Sequence, residues 1–207
     1  MREPGAEALP FSPACERNRE PILAVLREHL AVPARVLEVG GGTGQHAEFF
    51  AAHLPHLAWQ SSDRADYLPG LTARIAQAAL PNLPAPFELD VARHELWPVL
   101  RFDAAYTANT LHIMAWHEVE QFFRLAGAVL KPGSTLIVYG PFNYGGRFTS
   151  ESNAAFDAQL RADDPGRGIR DFEAVDALAR AQGFALAADI AMPANNRSLV
   201  WTRCPGA

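Results

Sequence analysis

Residues 35–44 read Arg-Val-Leu-Glu-Val-Gly-Gly-Gly-Thr-Gly, an apolar run that ends in four glycines within five positions. A buried strand that turns at once into a helix explains the run, because the polar and apolar periodicity resumes beyond Gln45. Glycine permits the sharp turn and removes the Cβ that would hold a ligand away from the backbone. Such a cluster is entropically unfavourable, so close approach of a ligand is its physical rationale. The spacing separates the ligand classes. A dinucleotide fingerprint needs a glycine where Gln45 stands, and a phosphate-binding P-loop needs Lys-Ser/Thr after Gly44. Both are absent. What remains is Glu38-x-Gly40-x-Gly42-x-Gly44.

That pattern suits a ligand without phosphate, carrying an ammonium and a sulfonium near the loop, and S-adenosylmethionine is such a ligand. Two further acids support it. Asp63 closes an expected strand over Leu57–Asp63, nineteen residues after Gly44, where a carboxylate can accept both hydroxyls of a ribose. Asp90, followed by Val91, closes a short strand from Phe87 and is placed to accept from an adenine amino group. Ligands of open α/β sheets bind at the carboxyl ends of strands, which is where all three acids fall.

The remaining pattern alternates strands and helices. Ile22, Leu23, Leu26 and Leu30 mark a helix expected to start at Pro21, and Leu68, Leu71 and Ile75 mark another. Phe102–Asn109 reads as a strand. Trp116–Leu130 is the clearest helix, with Val119, Phe122, Phe123, Ala126 and Val129 on one face and Lys131-Pro132-Gly133 as its stop. Ser134–Gly140 reads as a buried strand. An excursion follows that holds a helix over Asn153–Arg161, and Asp171 is a candidate cap for the next helix. Two strands close the chain, Phe184–Met192 and Ser198–Thr202, turning at Asn195-Asn196. The fold class implied is α/β, a Rossmann-like doubly wound sheet that is mostly parallel and ends in an antiparallel hairpin. Residues 1–12, with Pro4 and Pro10 and Pro13 just beyond, read as a flexible arm, and 13–207 as a single domain.

Composition narrows the partners. The net charge is −5 with no Lys/Arg stripe, which argues against nucleic acid. No apolar run is long enough for a membrane span or signal core, and two widely separated cysteines fit a reduced, cytoplasmic protein. The histidines show no metal-ligand spacing, so no metal is expected. The oligomeric state is not encoded in any pattern here.

The glycine loop, Asp63, Asp90 and the terminal hairpin resemble class I S-adenosylmethionine-dependent methyltransferases. More narrowly, Ser12-Pro13-Ala14-Cys15-Glu16-Arg17-Asn18, Gly42-Thr43-Gly44-Gln45-His46, Tyr139-Gly140-Pro141, Gly168-Ile169-Arg170-Asp171 and Met192-Pro193-Ala194-Asn195-Asn196 resemble the methyltransferase-like 26 family. That likeness spans about Ser12 to Arg203. It departs at Cys15, where alanine is usual, and at Arg167, where an aromatic is usual. The resemblance implies a methyltransferase-like domain with S-adenosylmethionine as cofactor, and no particular substrate.

On this reading a small-molecule acceptor approaches after the strand that ends in Thr107-Ala108-Asn109-Thr110-Leu111-His112. Asn109 and Leu111 are expected to hold the cofactor through backbone groups. His112 is the side chain suited to act as a general base, against a simple packing role. Arg17 is a candidate partner for the cofactor carboxylate, against a surface pair with Glu20. Trp116, Tyr139, Phe142 and Tyr144 are candidate walls of the acceptor pocket, with a core role the alternative for Trp116 and Tyr139, and Arg170, Asn195 and Asn196 are candidate polar contacts. The segments Ser12–Arg19 and Phe142–Arg170 read as irregular lid candidates. The acceptor atom, whether oxygen, nitrogen, sulfur or carboxylate, stays open. A non-catalytic cofactor-binding or scaffold protein on the same fold is the alternative.

Overall fold

The computed structural model describes residues 9–206. In chain order the elements are α1 (Pro13–His29), β1 (Ala34–Val39), α2 (Gln45–His53), β2 (Leu57–Asp63), α3 (Leu68–Ala78), β3 (Phe87–Glu88) and β4 (Phe102–Ala108). Then come α4 (Trp116–Val129), β5 (Leu130–Asn143), α5 (Glu151–Asp163), β6 (Arg170–Asp171), α6 (Phe172–Ala181), β7 (Phe184–Met192) and β8 (Asn196–Arg203). The sheet order is β3-β2-β1-β4-β5-β8-β7, with β6 paired to β5 off this path. Pairings among β1 to β5 are parallel, while β8 is antiparallel to both β5 and β7. The chain steps outward from β1 to β2 and β3, then crosses to β4. Its direction of winding therefore reverses between β1 and β4, which opens a crevice at their carboxyl ends.

Alternation along the strands feeds two cores. Leu37, Val39, Ala105, Leu136 and Val138 face α4 and α6, whose Val119, Phe122, Phe123 and Val175 are buried with them. Val36, Trp59, Ala104, Tyr106, Ile137 and Tyr139 face the other layer, packed with Ile22 and Leu26 of α1, Phe50 of α2 and Leu71 of α3. Adjacent residues of one strand thus belong to different layers, as a pleat of period two requires. This is the mostly parallel α/β sheet with an antiparallel close that the sequence implies. Among the described residues no helix is long and apolar enough to cross a membrane.

Several boundaries differ from the sequence expectation. The first helix begins at Pro13 and not at Pro21, which lies inside it. Its first two turns are fastened by polar contacts, so no apolar stripe marks them: the Ser12 N–H donates to Gln45 Oε1 (2.6 Å), and Gln45 Nε2 to Glu16 (2.7 Å). Ser12–Arg19 is consequently a packed helix start, not an irregular lid. Strand β3 has two residues, so Asp90 sits in the turn beyond it and accepts from the Arg93 N–H at 3.0 Å. Strand β5 starts directly from α4 and runs on to Asn143. Asp171 occupies the position before α6, but its side chain makes no capping bond. Of the expected arm, residues 1–8 lie outside the described residues. The rest follows α3, with the Pro10 carbonyl accepting from Arg74 Nη2 at 2.7 Å.

Candidate functional site

A cavity of about 680 Å³ opens at the carboxyl ends of β1, β2 and β4, within the range of small-molecule sites. Its floor is the glycine loop, and each glycine there has its own cause. Gly40 has φ +77°, and a Cβ on it would stand 2.5 Å from Thr110 Cγ2. Gly41 has an ordinary φ, but a Cβ would meet Ser61 Oγ at 2.3 Å. Gly42, at φ +56°, lines the cavity, and a Cβ there would meet nothing within 4 Å. Gly44, left-handed at φ +75°, starts α2 and does not line the cavity.

Asp63 ends β2 beside this loop. Its Oδ2 accepts from the Gly42 N–H and its Oδ1 from the Arg64 N–H, both at 2.7 Å. Burial pushes its pKa above the usual carboxylate range, and these two bonds and the Arg64 charge oppose the shift. Glu38, two residues before the loop, is not on the cavity wall. It is 2% exposed, accepts from Ser61 Oγ (2.5 Å) and Trp59 Nε1 (3.1 Å), and is pushed up to about 7 by burial, with the Asp63 charge adding. It braces the loop from beneath.

The rest of the expected cofactor set divides similarly. Arg17, Asp90, Val91 and Asn109 line the cavity. Arg17 has no ion pair or hydrogen bond among the described residues, and the expected pair with Glu20 is absent there. Asp90 accepts from the Ala92 N–H at 3.0 Å and faces Arg64 at 3.6 Å. Asn109 is left-handed (φ +57°), so the chain turns sharply off β4. Leu111 instead packs in the core, and its carbonyl accepts from Arg170 Nε at 3.1 Å.

At the far end His112 lines the cavity, 7% exposed, with its ring edge-on to Phe156 of α5 (centroids 5.3 Å apart). Burial, and then the Arg170 charge, lower its pKa to about 4, so its ring is neutral at pH 7. Asn196 lines the same region, together with Asn153 of α5.

Six expected acceptor residues lie off the wall. Tyr139 and Phe142 are 3% and 1% exposed, because their side chains point into the two core layers while only the end of β5 reaches the cavity. Tyr144 donates to Asp189 Oδ2 (2.8 Å) and stacks on Phe172, on the hairpin side. Trp116 lies under the Arg170 guanidinium at 5.9 Å. Arg170 itself is a backbone clamp, donating to the carbonyls of Leu111, Met114 and Gly166. Asn195 fastens the hairpin turn to α5, its carbonyl accepting from Asn153 Nδ2 at 3.2 Å.

Other cavity residues carry no signal in the expected set. His46, the second residue of α2, bonds Asn18 Oδ1 through Nε2 (2.7 Å), and burial lowers it to about 4. A buried polar pair on two helices leaves no periodic trace. Phe156, Asn153 and Arg167 were legible as parts of the Phe142–Arg170 lid candidate, Asn153 as one of its amide groups and Arg167 also as a departure from a family pattern.

The fold is shared with solved methyltransferases. An O-methyltransferase family protein from Burkholderia thailandensis superposes with a TM-score of 0.80 at 19% identity, over 94% of this chain and 58% of that one. The S-adenosylmethionine-dependent methyltransferase SibL, in its apo form, gives 0.77 at 23% identity, over 93% and 56%. Human N-acetylserotonin methyltransferase, solved with S-adenosylmethionine, gives 0.75 at 16% identity, over 93% and 53%. The chain thus spans little more than half the length of these structures, and what they have in common with it is the class I methyltransferase fold. At the level of sequence, the family described as "Protein of unknown function (DUF938)" matches residues 9–203, and the chain belongs to that family.

Proposed function

We propose that the cavity binds S-adenosylmethionine and that the protein transfers its methyl group to a small-molecule acceptor. The observation that carries this reading is the state of Asp63. A carboxylate has about four lone-pair sites, and two of these are taken by backbone N–H groups. Two more suit the paired hydroxyls of a ribose. The open space over Gly42, where no atom lies within 4 Å of a Cβ, suits the methionine part. Arg17 offers an uncommitted cation at the same end for the carboxylate. Asp90 and Val91 then flank the adenine. The residues present therefore fit the group.

When bound, the cofactor supplies an electrophilic sulfonium methyl. The chain's own task is orientation and exclusion of water. Asp63 and the Gly40–Gly44 backbone fix the position of the methyl. Ile113, Met114 and Phe156 give the acceptor end apolar walls. His112, neutral at pH 7 with its pKa lowered to about 4, accepts a hydrogen bond from the acceptor's O–H or N–H and turns a lone pair toward the methyl. A pKa so far below the working pH makes it an orienting group rather than a strong base. The two cysteines are free, in keeping with a reduced cytoplasmic setting, and the resemblance of several motifs to the methyltransferase-like 26 family favours the same assignment.

Calorimetric titration with S-adenosylmethionine and S-adenosylhomocysteine tests the cofactor. One-to-one binding is expected, abolished or greatly weakened in Gly42→Val. Release of S-adenosylhomocysteine on adding acceptors then tests turnover. Absence of binding by either cofactor form would remove the reading.

A further inference from the structure

The turn between α5 and β6 sets Arg167 on the cavity wall and leads to Arg170, off the wall at the start of β6. Among the described residues neither has a carboxylate at hydrogen-bonding distance. Arg170, 8% exposed, is satisfied by neutral carbonyls alone, so its charge has no counter-ion in contact. Arg167 stands on the wall itself. Its Nε is shielded from solvent and has no acceptor. Asp164 Oδ2 stands off at 3.7 Å, beyond hydrogen-bonding distance, while its Oδ1 takes the Gly166 N–H at 2.8 Å. Asp157 is committed elsewhere, to Arg161 and to the Ile169 N–H, both at 2.7 Å. The other wall carboxylate nearby, Glu118, caps the Ala115 N–H at 2.7 Å and faces Arg64 at 4.0 Å.

A shielded donor on a cation is unfavourable while it lacks an acceptor, and an oxyanion is the acceptor that satisfies it best. Ile113, Met114 and Phe156 give the same cavity apolar walls. One guanidinium beside an apolar wall suits an organic monoacid better than a polyphosphate. We propose that Arg167 anchors a carboxylate on the methyl acceptor, so that the substrate class is a small organic acid whose acceptor atom faces His112. This rests on the assignment of the cavity to methyl transfer.

The test compares benzoate, 4-hydroxybenzoate and 3-phenylpropanoate with their amides. Each is titrated into wild type, Arg167→Gln and Arg167→Lys, with the protein free and saturated with S-adenosylhomocysteine. The Arg167 side chain is 40% exposed, so these variants keep the fold. Acids are expected to bind wild type about tenfold or more tighter than their amides. In Arg167→Gln the ratio should fall to within about threefold, with the amides unaffected, and Arg167→Lys should lie between. Affinity for S-adenosylhomocysteine should not change. No acid preference in wild type, no measurable binding of any acid, or a preference that persists in Arg167→Gln overturns the proposal. So does a tenfold loss of S-adenosylhomocysteine affinity in that variant, which would make Arg167 a cofactor residue. If S-adenosylhomocysteine fails to bind wild type while acid preference still follows Arg167, the anion site stands and the methyltransferase assignment falls.

Discussion

Asp63 lines the cavity while its two oxygens accept from the Gly42 and Arg64 N–H groups, so on the proposed function one carboxylate would join the loop to the ligand. Two charge-assisted hydrogen bonds in a partly dry site contribute on the order of 2–4 kcal/mol. Asp63→Ala should therefore weaken S-adenosylmethionine binding about thirtyfold or more, read by calorimetry on folded protein. A loss below about threefold would reduce Asp63 to a turn cap. Neighbouring glycines separate structure from binding. Gly41→Ala drives a Cβ to 2.3 Å from Ser61 Oγ and 3.2 Å from Leu71 Cδ2, inside a packed region. It should lower stability by about 1–3 kcal/mol in urea titration, as overpacking does. Gly42→Val meets no neighbour within 4 Å. Beyond the strain of its positive φ, its cost should appear as lost cofactor affinity. Equal affinity for the cofactor in wild type and Gly42→Val would mean the ligand does not lie over the loop.

Helix α1 shows an element whose extent is set by polar contacts. Asn18, 7% exposed, meets the equally buried His46 at 2.7 Å, and the His46 ring stacks on Phe50 and lies edge-on to Tyr106. Asn18→Ala removes the partner of a buried ring nitrogen, which costs about 1–3 kcal/mol. Hydrogen exchange should rise first in 13–19, ahead of the rest of α1. Unchanged stability and exchange would mean the pair is dispensable. The same helix marks the limit of what the sequence discloses. Strands β2 and β7 and helix α4 were legible nearly to the residue, α4 because its apolar stripe is uninterrupted from Val119 to Val129. The first turns of α1 were not, since their anchors are Gln45, Glu16 and His46 rather than a stripe. In the site, Gly42, Asp63, Asp90, Asn109 and His112 could be placed from strand ends alone. Tyr139, Phe142 and Arg170 lie off the cavity wall for one reason. Strand alternation gives two faces, but which face meets a helix and which meets the cavity is decided by elements distant in the chain.

The whole molecule's response to pH follows from three buried groups. His46 and His112 are lowered to about 4 from the ordinary 6.5, chiefly by burial, and Glu38 is raised to about 7 from 4.5 for the same reason. Between about pH 4.5 and 6.5 the unfolded chain protonates both histidines, whereas the folded chain keeps both neutral and holds its extra proton on Glu38 alone. The unfolded state then binds about one more proton in net, so stability rises with pH by roughly 1.4 kcal/mol per unit across that window. Asp63, also raised by burial, opposes the rise at its acid end. Above about pH 6.5 the histidines are neutral in both states. Glu38 remains protonated only in the folded chain, so stability falls with further rise until its folded pKa is passed and then levels. Urea titrations from pH 5 to 8 at fixed ionic strength should therefore show a maximum near pH 6.5. In Glu38→Gln the descending limb should vanish and the ascending limb steepen toward two protons. A wild-type profile that falls from pH 5 to 6.5 would mean that Glu38 alone is shifted and that the buried histidines keep ordinary pKa values. His112 would then be partly charged when the acceptor arrives, and its role as a neutral hydrogen-bond acceptor would be lost.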